Sequence, residues 1–421
     1  MLQPFPFLAF VQTTTAKCRK FSFFFLLLQA LHVRKSRLNM KSTLIALLSV
    51  LSTVAAKSLW LDTTPQSPVP YALKKGRGIP LGGGNTFPVT GNSSGGAFCV
   101  LHTNAAGTYN TPVGLFPHVH KKTYENFYAV KGRVQLWGQN LDTFLANTSD
   151  QETRILSQGD IGAIPWNTIH TFTLLEPDTQ LTGVLVPGGF EEFFFNMQLS
   201  PSPNPGTLPG AGGFNISELS KWDVYPQLNF TPRRDVVNGK AGGSGRWYNG
   251  ANTLPGKSPT APIWVAKNYG PKFLVDETEI EGGGKRYQIV TPFVTGLETN
   301  GTFSQGTITI SPFSLSGSPA SGVGIKGNTV KSEVATAFMV EEGQLDVTVQ
   351  GYDEPASLID GDLVFVPANT SFSYVARAEF TKFMYVTGGG NGIDRQLMNK
   401  ARAWNSAFYP VGAGRPPMMR I

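Results

Sequence analysis

From residue 57 to about residue 199 the chain alternates apolar and polar positions in short runs, and Gly, Pro or Asn closes each run. Residues 97–101, 125–137, 161–165, 170–175 and 181–186 follow the two-residue period of strands, and their turn punctuation predicts a sandwich or barrel. GGFEEFFFNM (188–197) reads as a short helix that lays its phenylalanines on this barrel. The text then changes: PSPNPG, LPGAGG, KAGGSG and LPGKSP break up residues 201–260, and only ISELSKWDVY (216–225) suggests a single short helix. This stretch is expected to be an exposed connector, mobile in part. Near the end Ile393, Leu397, Ala401, Trp404 and Phe408 recur at helical spacing and predict a helix over 393–408.

The second half repeats the first. ENFYAVKGRVQL (from Glu125) matches TAFMVEEGQLDV (from Thr336) at an offset of 211, which sets Gly132 on Gly343. GDIGAIPWNTIHTF (from Gly159) matches GDLVFVPANTSFSY (from Gly361) at an offset of 202. A repeat of this length implies one β unit used twice. The expected architecture is all-β: a pair of jelly-roll barrels over 57–200 and 261–421, joined by a connector over 201–260, with short flanking helices. At the same offsets His118 maps to Thr329, His120 to Lys331, Glu125 to Thr336 and His170 to Phe372. The glycine and proline framework persists in the second copy, while these four polar residues are confined to the first.

The four are a candidate metal set. A chain of 421 residues with only five histidines places three of them here. On a strand His118 and His120 point the same way, so two imidazoles can share one ion. Glu125 has the wrong parity for an unbroken strand, so Lys121–Thr123 must form a turn or bulge. Beyond it Glu125, Phe127 and Ala129 share a face, as do His170, Phe172 and Leu174. A lone buried histidine is often a hydrogen-bonded core residue. The complete set, absent as a group from the other copy, favours a metal in an aromatic-walled pocket. His102 faces away from Leu101 and Thr103 and is given no role.

The net charge of +7 suggests a polyanion partner until it is located. Seven of the 35 Lys and Arg residues lie in 1–56, which has no acid, so the remaining 28 balance the 28 acidic residues. Nucleic acid is therefore not an expected partner. Met40–Lys41, an apolar core at 44–51 and Val54-Ala55-Ala56 read as a signal peptide over 40–56, too short to span a bilayer. Residues 1–39, with a second apolar run at 21–31, read as an over-extended gene start; the alternative is a membrane-anchored or dually targeted form. The mature chain is expected to begin near Lys57, to be secreted, and to have no membrane segment. Sequons at Asn92, Asn147, Asn215, Asn229, Asn300 and Asn369 fit that compartment. Cys18 leaves with the leader, so Cys99 stands alone as a small core residue without a disulfide.

The residues resemble the two cupin motifs. Gly114, His118, His120, Glu125 and Gly132 follow the first, and Gly159, Pro165 and His170 the second, although Gly114 lies close to His118 and Asn167 replaces a glycine. GLFPHVHKKTYENFYAVKGRVQLWGQ and PDTQLTGVLVPGGFEEFF look like the fungal quercetin 2,3-dioxygenases. These are secreted, glycosylated bicupins with copper in the N-terminal barrel. The resemblance implies a flavonol 2,4-dioxygenase that uses O2 to open the heterocyclic ring of quercetin-like flavonols, releasing a depside and carbon monoxide. It implies one divalent ion on His118, His120, Glu125 and His170, with Glu125 also acting as general base. Copper suits three imidazoles and a carboxylate; nickel, manganese, cobalt and iron use the same donors. By position the flavonol would meet Leu101, Thr103, Phe127, Phe172, Leu181, Leu185 and Phe190. Departures at Asn85, Leu101 and Leu181 point to a pocket of different shape. An oxalate oxidase or decarboxylase and a non-enzymatic storage or binding cupin are the alternatives, and monomer or homodimer is left open.

Overall fold

Strands that must be apolar on both faces explain the architecture. In the computed structural model, residues 57–81, 85–104, 116–148, 150–196, 216–233, 239–240, 252–280, 284–311, 328–378 and 380–406 are described. The leader, Cys18, Gly114, Asn215 and Phe408 lie outside them. Each half folds into two facing sheets, the expected bicupin layout. A seven-stranded sheet of the first barrel runs Ile263–Val265, Ile161–Ile164, Tyr124–Lys131, Gln180–Val186, Cys99–Asn104, Asn85–Val89, Ile79–Leu81. It faces a six-stranded sheet that contains His118–Val119 between Tyr225–Pro226 and Thr168–Leu174. The second barrel has sheets of nine and four strands.

The two large sheets pack back to back, so their central strands have two apolar faces. On Tyr124–Lys131, Phe127 and Ala129 turn into the barrel, while Tyr124 and Tyr128 join Phe293, Phe303, Met339 and Met384 between the barrels. Two hydrogen bonds cross that seam: Asn126 Nδ2 donates to Gln305 Oε1 (2.6 Å) and the Tyr128 hydroxyl to Glu341 Oε1 (2.6 Å).

The barrels also exchange strands across the segments 57–200 and 261–421. Tyr71–Leu73 pairs with Leu363–Val366 of the second barrel, and Ile263–Val265 pairs with Ile161–Ile164 of the first. The aspartates of the two Gly-Asp turns receive the exchanged segments. Asp160 Oδ1 accepts from the Lys267 amide (2.8 Å), and Asp362 Oδ1 accepts from the Lys75 amide (3.0 Å). Trp264 thereby enters the first barrel, buried against Phe127, Leu136 and Leu181, with its Nε1 donating to Glu152 Oε2 (2.8 Å).

Two further expectations change. The helix near the end covers only Ile393–Met398; Arg402–Ala403 then pairs with Phe273 and Leu274 as Trp404 packs on Leu274, Tyr287 and Ile289. The connector is not uniformly exposed. Ile216–Trp222 forms a 3-10 helix, and Leu219, Val224 and Phe230 are buried on the first barrel. The helix expected at 188–197 is Glu191–Asn196, with Phe193 buried. Among the described residues no helix is long and apolar enough to cross a membrane.

Candidate metal centre

The first ligand strand, His118–Val119, is held between two partners. Pro226 on one side and His170 on the other lie opposite His118, so His118 and His170 come from paired strands. Val119 faces outward onto Trp137, Ile169 and Phe230, as strand parity requires. After His120 the chain bends through Lys121–Thr123 and re-enters a strand at Tyr124, which restores Glu125 to the interior. All four side chains are buried, His170 completely.

Their donor atoms converge within 4.8 Å of one another. His170 Nε2 is 2.9 Å and His120 Nε2 is 3.2 Å from Glu125 Oε2, and His118 Nε2 lies 3.2 Å from His120 Nε2. The opposite ring nitrogens each face a backbone carbonyl: His118 Nδ1 to Phe116 O (3.0 Å), His120 Nδ1 to Asp223 O (2.6 Å), His170 Nδ1 to Thr168 O (3.1 Å). A carbonyl can only accept, so each Nδ1 carries a proton, and a ring in its neutral form turns a bare Nε2 lone pair inward. Three lone pairs and a carboxylate then crowd one buried point. A cation resolves that crowding, and the donor set fits a divalent metal. Burial, with the neighbouring rings His170 and His120 adding to it, holds His118 well below its ordinary range and disfavours protonation as the alternative.

The second barrel has the same frame and a different interior. Strand pairing corrects the comparison made from offsets: Phe372 lies opposite Val330, as His170 lies opposite His118. Asn167 donates its amide to His120 O (2.8 Å) and Asn369 to Ser332 O (2.7 Å). The counterparts of His118 and His120 are therefore Val330 and Ser332, not Thr329 and Lys331, and the bend before Thr336 is one residue shorter. Asn167 and Asn369 both have positive φ (57° and 60°), which explains an asparagine where the motif has glycine. Phe338, Phe372, Tyr374 and Phe383 fill the second barrel with ring centroids 5.1–6.4 Å apart.

The first barrel has a smaller residue at one wall position beside its ligands. Gly183 lies opposite Phe127 where Tyr385 lies opposite Phe338, and a Cβ at Gly183 would find its nearest neighbour, Leu101 Cβ, at 3.7 Å. Phe127 and Phe172 stand together (5.4 Å), with Phe127 5.7 Å from the His170 ring, and Phe190 packs edge-on to His120 (5.1 Å). Leu101, Leu185 and Phe190 form one apolar cluster, and Phe127, Phe172 and Leu181 a second. Thr103 lies opposite Leu181 and is half-buried, and Asn85 is buried on the face of Phe87. Sequence reasoning missed Phe116, Leu219, Trp222 and Trp264, which complete these clusters, and Asp223. The apolar Leu219, Trp222 and Val224 within a Gly/Pro-rich stretch were the available signal for the docked connector. Cys99 is a buried free thiol pushed up by burial and by Glu191, a core residue as expected.

His102 has a consequence for stability. Its Nε2 is buried without a hydrogen-bond partner, and burial, reinforced by Lys75, lowers its pKa to about 4. The unfolded chain therefore takes up this proton first, so stability is complete above the unfolded value of about 6.5 and is lost as pH falls towards 4. His102→Gln should flatten that loss relative to wild type in urea unfolding between pH 7 and 4. Parallel curves would show that the ring is not responsible.

No family model matches the chain. The chain is 37% identical to quercetin 2,3-dioxygenase of Aspergillus japonicus, over 77% of its length and 89% of the relative's. It belongs to the quercetin 2,3-dioxygenase family. A second relative, quercetin 2,3-dioxygenase of Bacillus subtilis, is 28% identical over 78% of this chain and 86% of its own. Among solved structures, oxalate decarboxylase of Lactobacillus farciminis aligns with a TM-score of 0.41 and 12% identity over 73% of this chain and 82% of that one. Family membership makes the chain a dioxygenase, and the buried His and Glu cluster is where its metal fits.

Proposed function

We propose that the chain is a secreted copper dioxygenase that opens the heterocyclic ring of quercetin-like flavonols with O2, giving a depside and carbon monoxide. The observation that carries this reading is the convergence of three imidazole Nε2 atoms and Glu125 beside Phe127 and Phe172, in a chain of this family. His118, His120, Glu125 and His170 would hold the ion, and copper suits that donor set, with nickel, manganese, cobalt and iron as the tested alternatives. A bound copper supplies the electron acceptance that lets a closed-shell flavonolate react with dioxygen.

The chain's own residues supply binding, dryness and a proton acceptor. Phe127, Phe172 and Phe190 offer aromatic surface to a planar ligand, and Leu101, Leu181 and Leu185 keep water from it, with Thr103 as the polar member of the wall. Glu125 would take the proton of the flavonol 3-hydroxyl, leaving the oxygen anionic. An oxalate dianion would instead need a cationic partner beside the metal, where these walls are aromatic and aliphatic. Secretion is supported by the leader-like N-terminus and by the exposure of Asn92, Asn147, Asn229, Asn300 and Asn369, all open to glycosylation.

Gly183→Leu tests the pocket. Wild-type copper content with quercetin binding lost is the expected result, because a side chain there enters the space between Phe127 and Leu101. Unchanged quercetin binding would place the substrate elsewhere.

A further inference from the structure

We infer that Asp223, a residue of the connector docked on the first barrel, is a positioning residue for the metal centre. The inference rests on the quartet holding a metal. Two of the three ligand rings are oriented locally: Phe116 and Thr168, whose carbonyls accept from His118 and His170, each lie two residues before the histidine they hold. His120 is oriented from 103 residues away, by the Asp223 carbonyl at 2.6 Å from Nδ1. That contact sets the ring with Nε2 towards Glu125 Oε2, 3.2 Å away.

The Asp223 side chain acts on the same segment. Its carboxylate accepts the successive amides of Lys121 (3.0 Å), Lys122 (2.8 Å) and Thr123 (2.8 Å). These residues form the bend that sets Glu125 against His120, and the bend is one residue longer than in the second barrel. There Ser332 closes the shorter turn itself, its Oγ donating to Val334 O (2.6 Å) and lying 3.0 Å from Thr336 Oγ1. Among the described residues the longer loop of the first barrel has no such side-chain closure of its own, and the connector provides one.

Asp223 is placed firmly enough for this role. Its φ of 60° turns carbonyl and carboxylate onto one stretch of chain, and asparagine is the other residue that adopts such a backbone readily. Buried Leu219 and Val224 flank it, and Tyr225 and Pro226 pair with Val119 and His118. Connector docking and ligand geometry are therefore one structural event.

The test is copper affinity, by competition with a chelator, together with the Cu(II) electron paramagnetic resonance spectrum, for wild type, Asp223→Ala and Asp223→Asn. Removing the carboxylate should weaken copper binding by roughly 10- to 100-fold, the usual effect of losing a residue that orients a ligand, and should alter the spectrum. Asn, which keeps the backbone and one acceptor oxygen, should recover part of the affinity, and it decides the matter if Ala does not fold. Variants with wild-type affinity and spectrum would overturn the inference. A wild-type protein that takes up no metal would instead sink the reading of the quartet.

Discussion

Glu125→Gln should abolish flavonol turnover and leave most of the metal bound. The three imidazoles keep their Nδ1 contacts to Phe116, Asp223 and Thr168, so the Nε2 lone pairs still converge. A glutamine has the size of the glutamate and presents a carbonyl oxygen, but it cannot take the substrate's proton. General bases of this kind contribute on the order of 10²–10⁴ in rate, and a loss of that size is expected with metal content near wild type. Turnover assayed on metal-quantified protein checks it. Equal loss of metal and of turnover would mean that Glu125 is a ligand and no more.

Trp264→Ala should be the most damaging change away from the ligands, costing about 3–5 kcal/mol in chemical unfolding, the range for large aromatic truncations in a core. Trp264 reaches the first barrel only through strand exchange, and it covers Gly162, where an added Cβ would lie 2.8 Å from the indole ring. Removing it leaves a void under Phe127 and strips Glu152 of its Nε1–H partner. The exchange also predicts that the loss appears in a single unfolding transition of both barrels. A change below 1 kcal/mol would mean that Ile263–Val265 is a dispensable edge strand.

What the sequence makes legible is what local periodicity and repetition encode. Strand parity placed Phe127 and Phe172 on the ligand face, and the bulge demanded by Glu125 is the bend at Lys121–Thr123. The repeat separated frame from site: Gly132 and Gly343 both turn at positive φ, while the ligands occur once. Non-local pairing was not legible. Tyr71–Leu73 and Ile263–Val265 are three-residue apolar strings, and nothing in such a string names the barrel it joins. The misassignment of His118 and His120 to Thr329 and Lys331 has a similar cause. A residue missing from a bend shifts the register by one, and the flanking Gly and Pro landmarks do not record it. Asp223 was hidden in a stretch whose composition suggested only a linker, because its role depends on a hydrogen bond across 103 residues.

The most direct measurement is turnover of quercetin in air by the purified protein, loaded separately with copper, nickel or manganese. Loss of the flavonol absorbance should be matched by carbon monoxide and the depside, and should disappear when the metal is chelated. Absence of turnover with every one of these metals, on protein shown to hold one ion per chain, would contradict a flavonol dioxygenase.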